Sequence, residues 1–164
     1  FNLPGYEQYK KPFVELSMQL LNTILFILSG LLQPAASSGG KEERFPLLIE
    51  VASVSPKKGP VMVALFQSPE GFPMEPSKAV YREKILAIQG RAQLRIEGLR
   101  TGTYAVALFH DTNEDGELNL NFLGVPKEGY GVSNNVRNKF SAPKFSQASF
   151  RHDHETRLQI QLRY

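Results

Sequence analysis

Oxygen-bearing side chains alternate along residues 111–119, "DTNEDGELN". Asp111, Asn113 and Asp115 occupy positions 1, 3 and 5 of this segment, and Gly116 follows at position 6. Calcium binds about six to eight hard oxygen atoms, and alternate residues of a tightly wound loop direct their side chains towards one centre. Glycine at position 6 permits the sharp turn that such a loop needs. The spacing therefore predicts a calcium-binding loop.

The second half of the segment departs from the helix-loop-helix calcium motif. Glu117 at position 7 would offer its backbone carbonyl, and Asn119 at position 9 would bind directly or through water. Position 12 is Phe122 instead of a bidentate glutamate. That ligand has to come from elsewhere. Glu128 is the nearest candidate downstream, and Glu114 and the Glu117 side chain are others. Because two carboxylates are certain, we expect weak binding, about 10⁻⁴–10⁻³ M, as in extracellular modules.

A second interpretation of the same loop needs no ion. Asp and Asn favour turns because their short side chains bond the neighbouring backbone, and Gly favours turns because it adopts positive φ at no steric cost. Short polar loops also produce the D-x-N-x-D-G pattern by chance. From the sequence alone, the calcium loop, the self-bonded turn and a site for another cation all stay open.

The segment that follows, "FLGVPKEGYGVSNN" at residues 122–135, is too long for a hairpin turn. Loops of this length in compact domains are often functional. Candidate ligand contacts are the residues that offer stacking surface or paired amide groups: Phe122, Tyr130, Asn134 and Asn135. The interpretation that we favour is that the apolar side chains of this segment close the core at one end of the domain: Phe122, Leu123 and Val125.

Three histidines are further candidates for catalysis or metal binding, but their pattern is less specific than that of the acidic loop. His110 precedes Asp111 and would serve as a general base beside a bound ion. His152 and His154 can share one face of a strand, but a metal site would need His110 or an acid as third ligand. Ser133 lacks the G-x-S-x-G frame of a nucleophile elbow. The sequence predicts no catalytic residue, and a metal-assisted hydrolase using His110 and the acidic loop is an alternative.

After Gly40 the chain alternates apolar and polar residues, which is the pattern of strands with one buried face. Three segments alternate in this way: "RFPLLIEVAS" at 44–53, "RAQLRIEGL" at 91–99 and "ETRLQIQLRY" at 155–164. Two others, "PVMVALFQS" at 60–68 and "GTYAVALFHD" at 102–111, are apolar on both faces, which predicts covered central strands. Turn signals separate the segments. We therefore predict an all-β fold, a Greek-key β-sandwich of about seven strands.

Residues 20–32, "LLNTILFILSGLL", contain no charge. The run is short for a membrane-spanning helix, which needs about twenty apolar residues, and it fits the apolar core of a secretory signal peptide. Small residues follow in "QPAASSGG", where a peptidase would cut, and Met18 is a candidate start. We predict an upstream extension and a helical signal-peptide-like segment over residues 1–40, and one β-sandwich domain over residues 41–164. A buried helix or a membrane anchor is the alternative.

The composition narrows the possible functions. The chain has 164 residues and no cysteine, which excludes disulfides, zinc thiolate sites and thiol catalysis. Its formal net charge is +3, and its Lys and Arg residues form no cluster of five or more. Nucleic-acid binding therefore has little support.

Several segments resemble a known bacterial family. They are "VMVALFQSPEGFP" at 61–73, "GLRTGTYAVALFHDTNEDGELNLNFLGVPKEGYGVSNN" at 98–135, "APKFSQASF" at 142–150 and "RLQIQLRY" at 157–164. They resemble the family known as domain of unknown function 2141, from about Leu47 onwards. The resemblance implies a secreted or periplasmic domain, similar to transthyretin-like and collagen-adhesin B-type β-sandwiches, with no established function and no catalytic residue to transfer.

The loop differs slightly from the pattern of that family, which usually reads Asp-x-Asn-x-Asn-Gly-x-Leu-Asp. Here Asp115 adds a charge at the fifth position and Asn119 removes one at the ninth, so the number of carboxylates is similar. The resemblance is therefore compatible with an ion in this loop.

These observations predict an exported, non-enzymatic module, secreted or periplasmic. Weakly bound calcium would stiffen the acidic loop and present residues 122–135 to a glycan, a peptide or another envelope protein. We predict no nucleic-acid partner and no stable membrane span after signal cleavage. A purely structural envelope domain without a ligand is the third hypothesis.

Overall fold

The computed structural model of the chain describes residues 42–138 and 141–164. The signal-peptide-like segment predicted within residues 1–40 lies outside the described residues. In the described part, the helical elements are short: the 3-10 turns Pro76–Lys78 and Ser133–Asn135, and the four-residue helix α1, Phe145–Ala148. None of the described helices is both long enough and apolar enough to cross a bilayer.

In the described residues, eight strands form two sheets. The strands are β1 Arg44–Ala52, β2 Val61–Phe66, β3 Tyr81–Ile85, β4 Ala92–Arg100, β5 Gly102–His110, β6 Tyr130–Val132, β7 Phe150–His152 and β8 Thr156–Gln161. The first sheet has the order β4-β1-β8, and the second has the order β3-β2-β5-β6, with β7 paired to β5 as well. The predicted all-β sandwich is confirmed, with eight strands instead of about seven.

The first sheet has one buried face and one solvated face. In β4, buried side chains alternate with exposed ones along Ala92, Leu94 and Ile96. In β8, the exposed side chains of Arg157 and Gln159 alternate with more buried ones. The central strand β1 runs antiparallel to β4 and parallel to β8. This alternation follows from the period of two that the sequence shows, because successive side chains of a strand point to opposite faces.

The core lies between the two sheets. The second sheet contributes buried residues of β2 and β5: Val61, Val63, Leu65, Tyr104, Val106 and Leu108. The first sheet contributes buried residues of β1, β4 and β8: Leu47, Ile49, Val51, Ala92, Leu94, Ile96 and Ile160. Burying one such large aliphatic side chain contributes about 1.5–3 kcal/mol, so this layer is the main source of stability.

The second sheet is also apolar on its outer face, as predicted for β2 and β5. Ala64, Phe66, Ala105 and Ala107 belong to a second buried cluster on that face. Aromatic rings cover one end of it: Phe72 packs edge-to-face on Phe66 at 5.3 Å and on Phe145 at 5.8 Å between ring centroids. The remaining part of the outer face is a groove that is described below.

A polar contact made by Tyr164 lies at the end of β5. The Ser55 backbone N–H donates to the Tyr164 hydroxyl oxygen at 2.7 Å, and the same hydroxyl shares a 2.8 Å hydrogen bond with Nδ1 of His110. His110 is fully buried, and its Nε2 atom has no partner among the described residues. The Tyr164 ring lies so close to Gly129 that a Cβ atom at that position would clash with it. Tyr164 is therefore a clamp that joins three separate segments.

The Tyr164 clamp gives a testable prediction about stability. We expect Tyr164→Phe to lower the free energy of unfolding by about 1–3 kcal/mol, because it leaves the Ser55 N–H and His110 Nδ1 without their partner. Urea unfolding measures this loss. Tyr130→Phe is the control, since the Tyr130 hydroxyl forms no hydrogen bond with the described residues, and it should change stability by less than about 0.5 kcal/mol. Equal losses in the two variants would contradict the clamp.

Candidate functional site

The acidic loop begins with a buried carboxylate. Asp111 follows the last residue of β5 and is 1% exposed. Its two oxygens accept hydrogen bonds from the backbone N–H groups of Asp115 at 3.2 Å and Gly116 at 2.9 Å. Gly116 has a φ of +81°, in the left-handed region that favours glycine. Asp111 therefore shapes the turn by satisfying backbone donors that the turn leaves free.

Asp115 is the centre of an exposed hydrogen-bond network in the same loop. One carboxylate oxygen accepts from the side-chain amides of Asn113 at 2.8 Å and Asn119 at 2.9 Å. The other oxygen accepts from the backbone N–H of Glu117 at 2.9 Å. The Asn119 amide, followed by the Glu117 N–H and the Asn113 amide, holds the pKa of Asp115 below its ordinary value, because each bond favours the charged form.

Glu128 braces the loop from the other side. It is 4% exposed, and one oxygen accepts from the backbone N–H of Thr112 at 2.8 Å and from the Thr112 hydroxyl at 3.3 Å. The other oxygen accepts from the backbone N–H of Asn119 at 3.1 Å. A buried carboxylate is tolerated when it is well hydrogen-bonded, and here it joins the start of the loop to its end.

The structure brings together most of the residues that the sequence singled out for calcium. Asp111, Asn113, Asp115, Asn119 and Glu128 form one continuous network, while the Glu117 side chain is exposed and only its backbone takes part. These hydrogen bonds are those of the self-bonded turn. In residues 42–138 and 141–164, no three His, Cys, Asp or Glu side chains are arranged as a metal-binding group. The ion itself stays a prediction.

The prediction that the apolar residues after this loop close the core is wrong. Phe122 is 95% exposed, Leu123 is 71% exposed and Val125 is 52% exposed. The physical reason is a tight turn around Asn121, whose side-chain oxygen accepts the backbone N–H groups of Leu123 at 2.9 Å and Val125 at 3.0 Å. This turn holds the three side chains outside the core, and Tyr164 covers the adjacent end instead.

Asn134 and Asn135, predicted as ligand contacts, both bind backbone groups of this chain. The Asn134 amide donates to the carbonyl oxygens of Gln147 at 3.1 Å and Ser149 at 3.0 Å. The Asn135 amide donates to the Gln159 carbonyl and accepts from the Gln161 N–H, both at 2.9 Å. Both residues have positive φ, of 60° and 50°. They connect the 3-10 turn to the end of α1 and to β8.

The histidines do not converge on one site. His110 ends β5 under Tyr164, whereas His152 pairs with Gly102 at the start of β5. Eight residues of extended strand separate these two places by about 26 Å. His152 shares hydrogen bonds with Thr156 Oγ1 at 2.9 Å and with the Phe45 carbonyl at 3.3 Å, and His154 is exposed beside Asp153. A site that combines the three histidines is therefore absent from the described residues, and a hydrolase using His110 and the acidic loop stays an untested alternative.

A groove of about 1000 Å³ lies on the outer face of the second sheet. Its floor consists of outward-facing residues of the sheet: Met62, Ala64, Ala107, Phe109, Tyr130 and Val132. Residues 116–126, which include the exposed turn, form one wall, and Pro73 and Met74 lie on another side. Tyr130 is the one predicted ligand contact that lines this groove.

The register of the strands explains the shape of the groove. Ala64 pairs with Ala107, and Ala107 pairs with Val132, so small side chains form the middle of the floor. Met62 pairs with Phe109 beside them, and these larger side chains bound the depression. This site was not predicted from the sequence. Its signal was present in β2 and β5, which are apolar on both faces in a domain that has little helix to cover the second face.

Comparison with known proteins identifies the family. A family model described as "Uncharacterized protein conserved in bacteria (DUF2141)" matches residues 49–160. The chain belongs to this family. The match begins in β1 and ends in β8, so it includes the acidic loop and the floor of the groove. The family resemblance seen in the sequence is confirmed, whereas the likeness to transthyretin-like sandwiches stays an expectation.

Other comparisons add little. No curated protein matches the chain. A solved structure of a fimbrial assembly protein from Parabacteroides distasonis ATCC 8503 is similar with 11% sequence identity and a TM-score of 0.38. The similarity covers 74% of this chain and 53% of that one, so this chain spans about half the length of the fimbrial assembly protein. At this level of similarity, the comparison supports no conclusion about function.

The Asp115 network gives a prediction about pH. The pKa of Asp115 is lowered in the folded protein. The network therefore stabilises the folded loop at pH values above the ordinary Asp pKa of about 3.9, and this stabilisation is lost as the pH falls through the lower pKa of the folded state. We expect an NMR titration to show Asp115 ionising below about 3.9. Asn119→Ala should move the titration upwards, because Asn119 is the largest contributor. An unchanged midpoint in this variant would contradict the network.

Proposed function

We propose that this protein is an exported, non-enzymatic binding module whose ligand site is the groove on the outer face of the second sheet. The observation that supports this is an apolar depression of about 1000 Å³ bounded by loops on two sides. Small-molecule sites are concave, mostly apolar and of about 300–1,000 Å³. Export is proposed from residues 20–32, which have the pattern of a signal peptide.

The floor favours an apolar ligand. Both β2 and β5 have hydrogen-bonded neighbours on each side, so their backbone polar groups are used within the sheet. The floor side chains are almost entirely hydrocarbon, apart from the Tyr130 hydroxyl and the Met62 thioether. Affinity would therefore come from burial of apolar surface, at about 25 cal/mol per Å².

The acidic loop positions one wall of the groove. Asn119 binds both Asp115 and Glu128, and its carbonyl accepts the Lys127 N–H at 2.8 Å. Leu120 forms a bridge with Pro126 directly after it. The hydrogen bonds of the carboxylates thus hold the wall in place. In this proposal the loop presents the binding segment, as the sequence suggested, and the side-chain network provides its rigidity.

Filling the groove tests the proposal. Ala107 lies in the middle of the floor, so Ala107→Phe should occupy the space that a ligand needs. We expect the affinity for an apolar dye that the parent protein binds, measured by fluorescence titration, to fall roughly tenfold or more in this variant, a loss of about 1.4 kcal/mol or more in binding. Gln93→Phe, on the solvated face of β4, is the size-matched control and should keep the dye. Undiminished dye binding to Ala107→Phe would refute the proposed site.

Calcium is the second candidate ligand, in the acidic loop. The observation that favours it is the meeting of three polar side chains: the Asn113 amide nitrogen lies 2.8 Å from both an Asp115 oxygen and the Asn119 side-chain oxygen. Rotation of the two amide groups would turn their oxygen atoms towards Asp115. Hard oxygen ligands of this kind suit calcium, and one exposed carboxylate agrees with weak binding.

Thermal unfolding in calcium and in chelator tests this second candidate. A ligand that binds only the folded protein stabilises it by about 1.4 kcal/mol at ten times its Kd, so Tm should rise at millimolar calcium. Asp115→Ala should abolish the rise while leaving the bonds of buried Asp111 intact. Asp153→Ala, an equal change of charge on an exposed residue elsewhere, should retain it. If the parent protein has the same Tm in calcium and in chelator, the calcium site is refuted and the loop is a self-bonded turn without an ion.

A further inference from the structure

Two cations stand at one edge of the groove. In the pairing of β2 with β3, Arg82 is opposite Ala64 and Lys84 is opposite Met62. Directly opposite residues of antiparallel strands place their side chains on the same face of the sheet. Arg82 and Lys84 therefore share the outer face with the floor of the groove, and both line it.

These two cations differ from the other basic residues of the strands. Each of the remaining strand arginines has an acidic side chain within 4 Å: Arg44, Arg95, Arg100, Arg151 and Arg157. Among the residues that the structure describes, Arg82 and Lys84 have no such partner. Glu83 lies between them, but in a strand its side chain points to the opposite face, where it accepts a hydrogen bond from the Tyr81 hydroxyl at 3.2 Å.

The acidic residues that line the groove do not pair with these two cations. Glu83 and Glu117 also line the groove, and neither forms an ion pair with Arg82 or Lys84 in the described part of the chain. An apolar floor with a positive edge is complementary to a molecule that has a hydrocarbon body and a negative end. The guanidinium of Arg82 suits a carboxylate, because its parallel N–H groups match the two oxygens.

We propose that the ligand of the groove is a long-chain carboxylate, with its hydrocarbon chain on the floor and its carboxylate at Arg82 and Lys84. This inference depends on the proposed function of the groove. A peptide or a glycan fits the floor less well, because its amides or hydroxyls would find no free backbone partner on β2 or β5. A plain acyl chain has no polar groups to satisfy there.

A dye-displacement experiment tests the inference. Two probes of equal chain length, dodecanoate and dodecan-1-ol, compete with a fluorescent apolar dye for the groove. We expect dodecanoate to bind the parent protein more tightly. Changing Arg82→Gln together with Lys84→Gln should weaken dodecanoate binding roughly three- to tenfold, as expected for two exposed ion pairs, and leave dodecan-1-ol unaffected. Raising the salt concentration should weaken only the carboxylate, because salt screens exposed charges.

A charge-matched control separates a local effect from the loss of net charge. Lys57→Gln together with Lys58→Gln removes the same charge from exposed residues that do not line the groove, and should leave both affinities unchanged. Equal binding of the two probes, insensitive to Arg82 and Lys84, would overturn the carboxylate and leave the groove as a site for apolar ligands. Failure of both probes, with dye binding that Ala107→Phe does not reduce, would overturn the proposed function as well.

Light scattering, which measures the molar mass in solution, tests whether a second copy of the chain occupies the groove. Exposed Phe122, in the turn beside the groove, and Leu123 on its wall would be the inserting residues in that case. A monomeric parent protein that binds dodecanoate supports the inference. A dimer that Phe122→Ser dissociates, and that binds dodecanoate only after dissociation, would overturn it.

Discussion

The antiparallel pair of β2 and β5 is the constraint on which the rest of the structure depends. Both strands are paired on each side, and both of their alternate sets of side chains are apolar. The inner set requires the first sheet as its partner, and this packing forms the core. The outer set requires a second cover. Phe72 and Phe145 provide that cover at one end only, so a concave apolar surface is left where they stop.

The acidic loop belongs to the same arrangement because it continues directly from β5. The backbone N–H groups of an irregular loop have no carbonyl partners of a helix or sheet. Here the buried carboxylates of Asp111 and Glu128 accept their hydrogen bonds instead. Charged groups are costly to bury, and here the hydrogen bonds from backbone N–H groups offset that cost. The loop consequently has a defined shape beside the sheet and forms a wall of the groove.

The family match includes every part of this arrangement. Residues 49–160 contain all of β2 and β5, the acidic loop and the cations of β3. The groove and its wall thus lie within the residues that match the family model. The charge of the groove edge follows from one strand, since Arg82 and Lys84 share a face of β3 while Glu83 takes the other.

The sequence by itself determined five strands (β1, β2, β4, β5 and β8), their buried faces and the polar cluster of the loop. These features depend on residues that are close along the chain: alternation within 91–99 defines one face of β4, and the spacing of Asp111, Asn113 and Asp115 brings their side chains into one turn. The apolar character of both faces of β2 and β5 was also visible. It indicated covered central strands without showing how far the cover extends.

Only the tertiary structure decided the groove, the exposure of Phe122 and the separation of the histidines. Each depends on register or packing between distant segments: Met62 meets Phe109, Ala64 meets Arg82, and His110 and His152 occupy opposite ends of β5. Glu128 likewise acquires its role from Thr112, sixteen residues earlier. Local spacing specifies which face a side chain takes, but the partner across that face is chosen by the pairing of strands far apart in the chain.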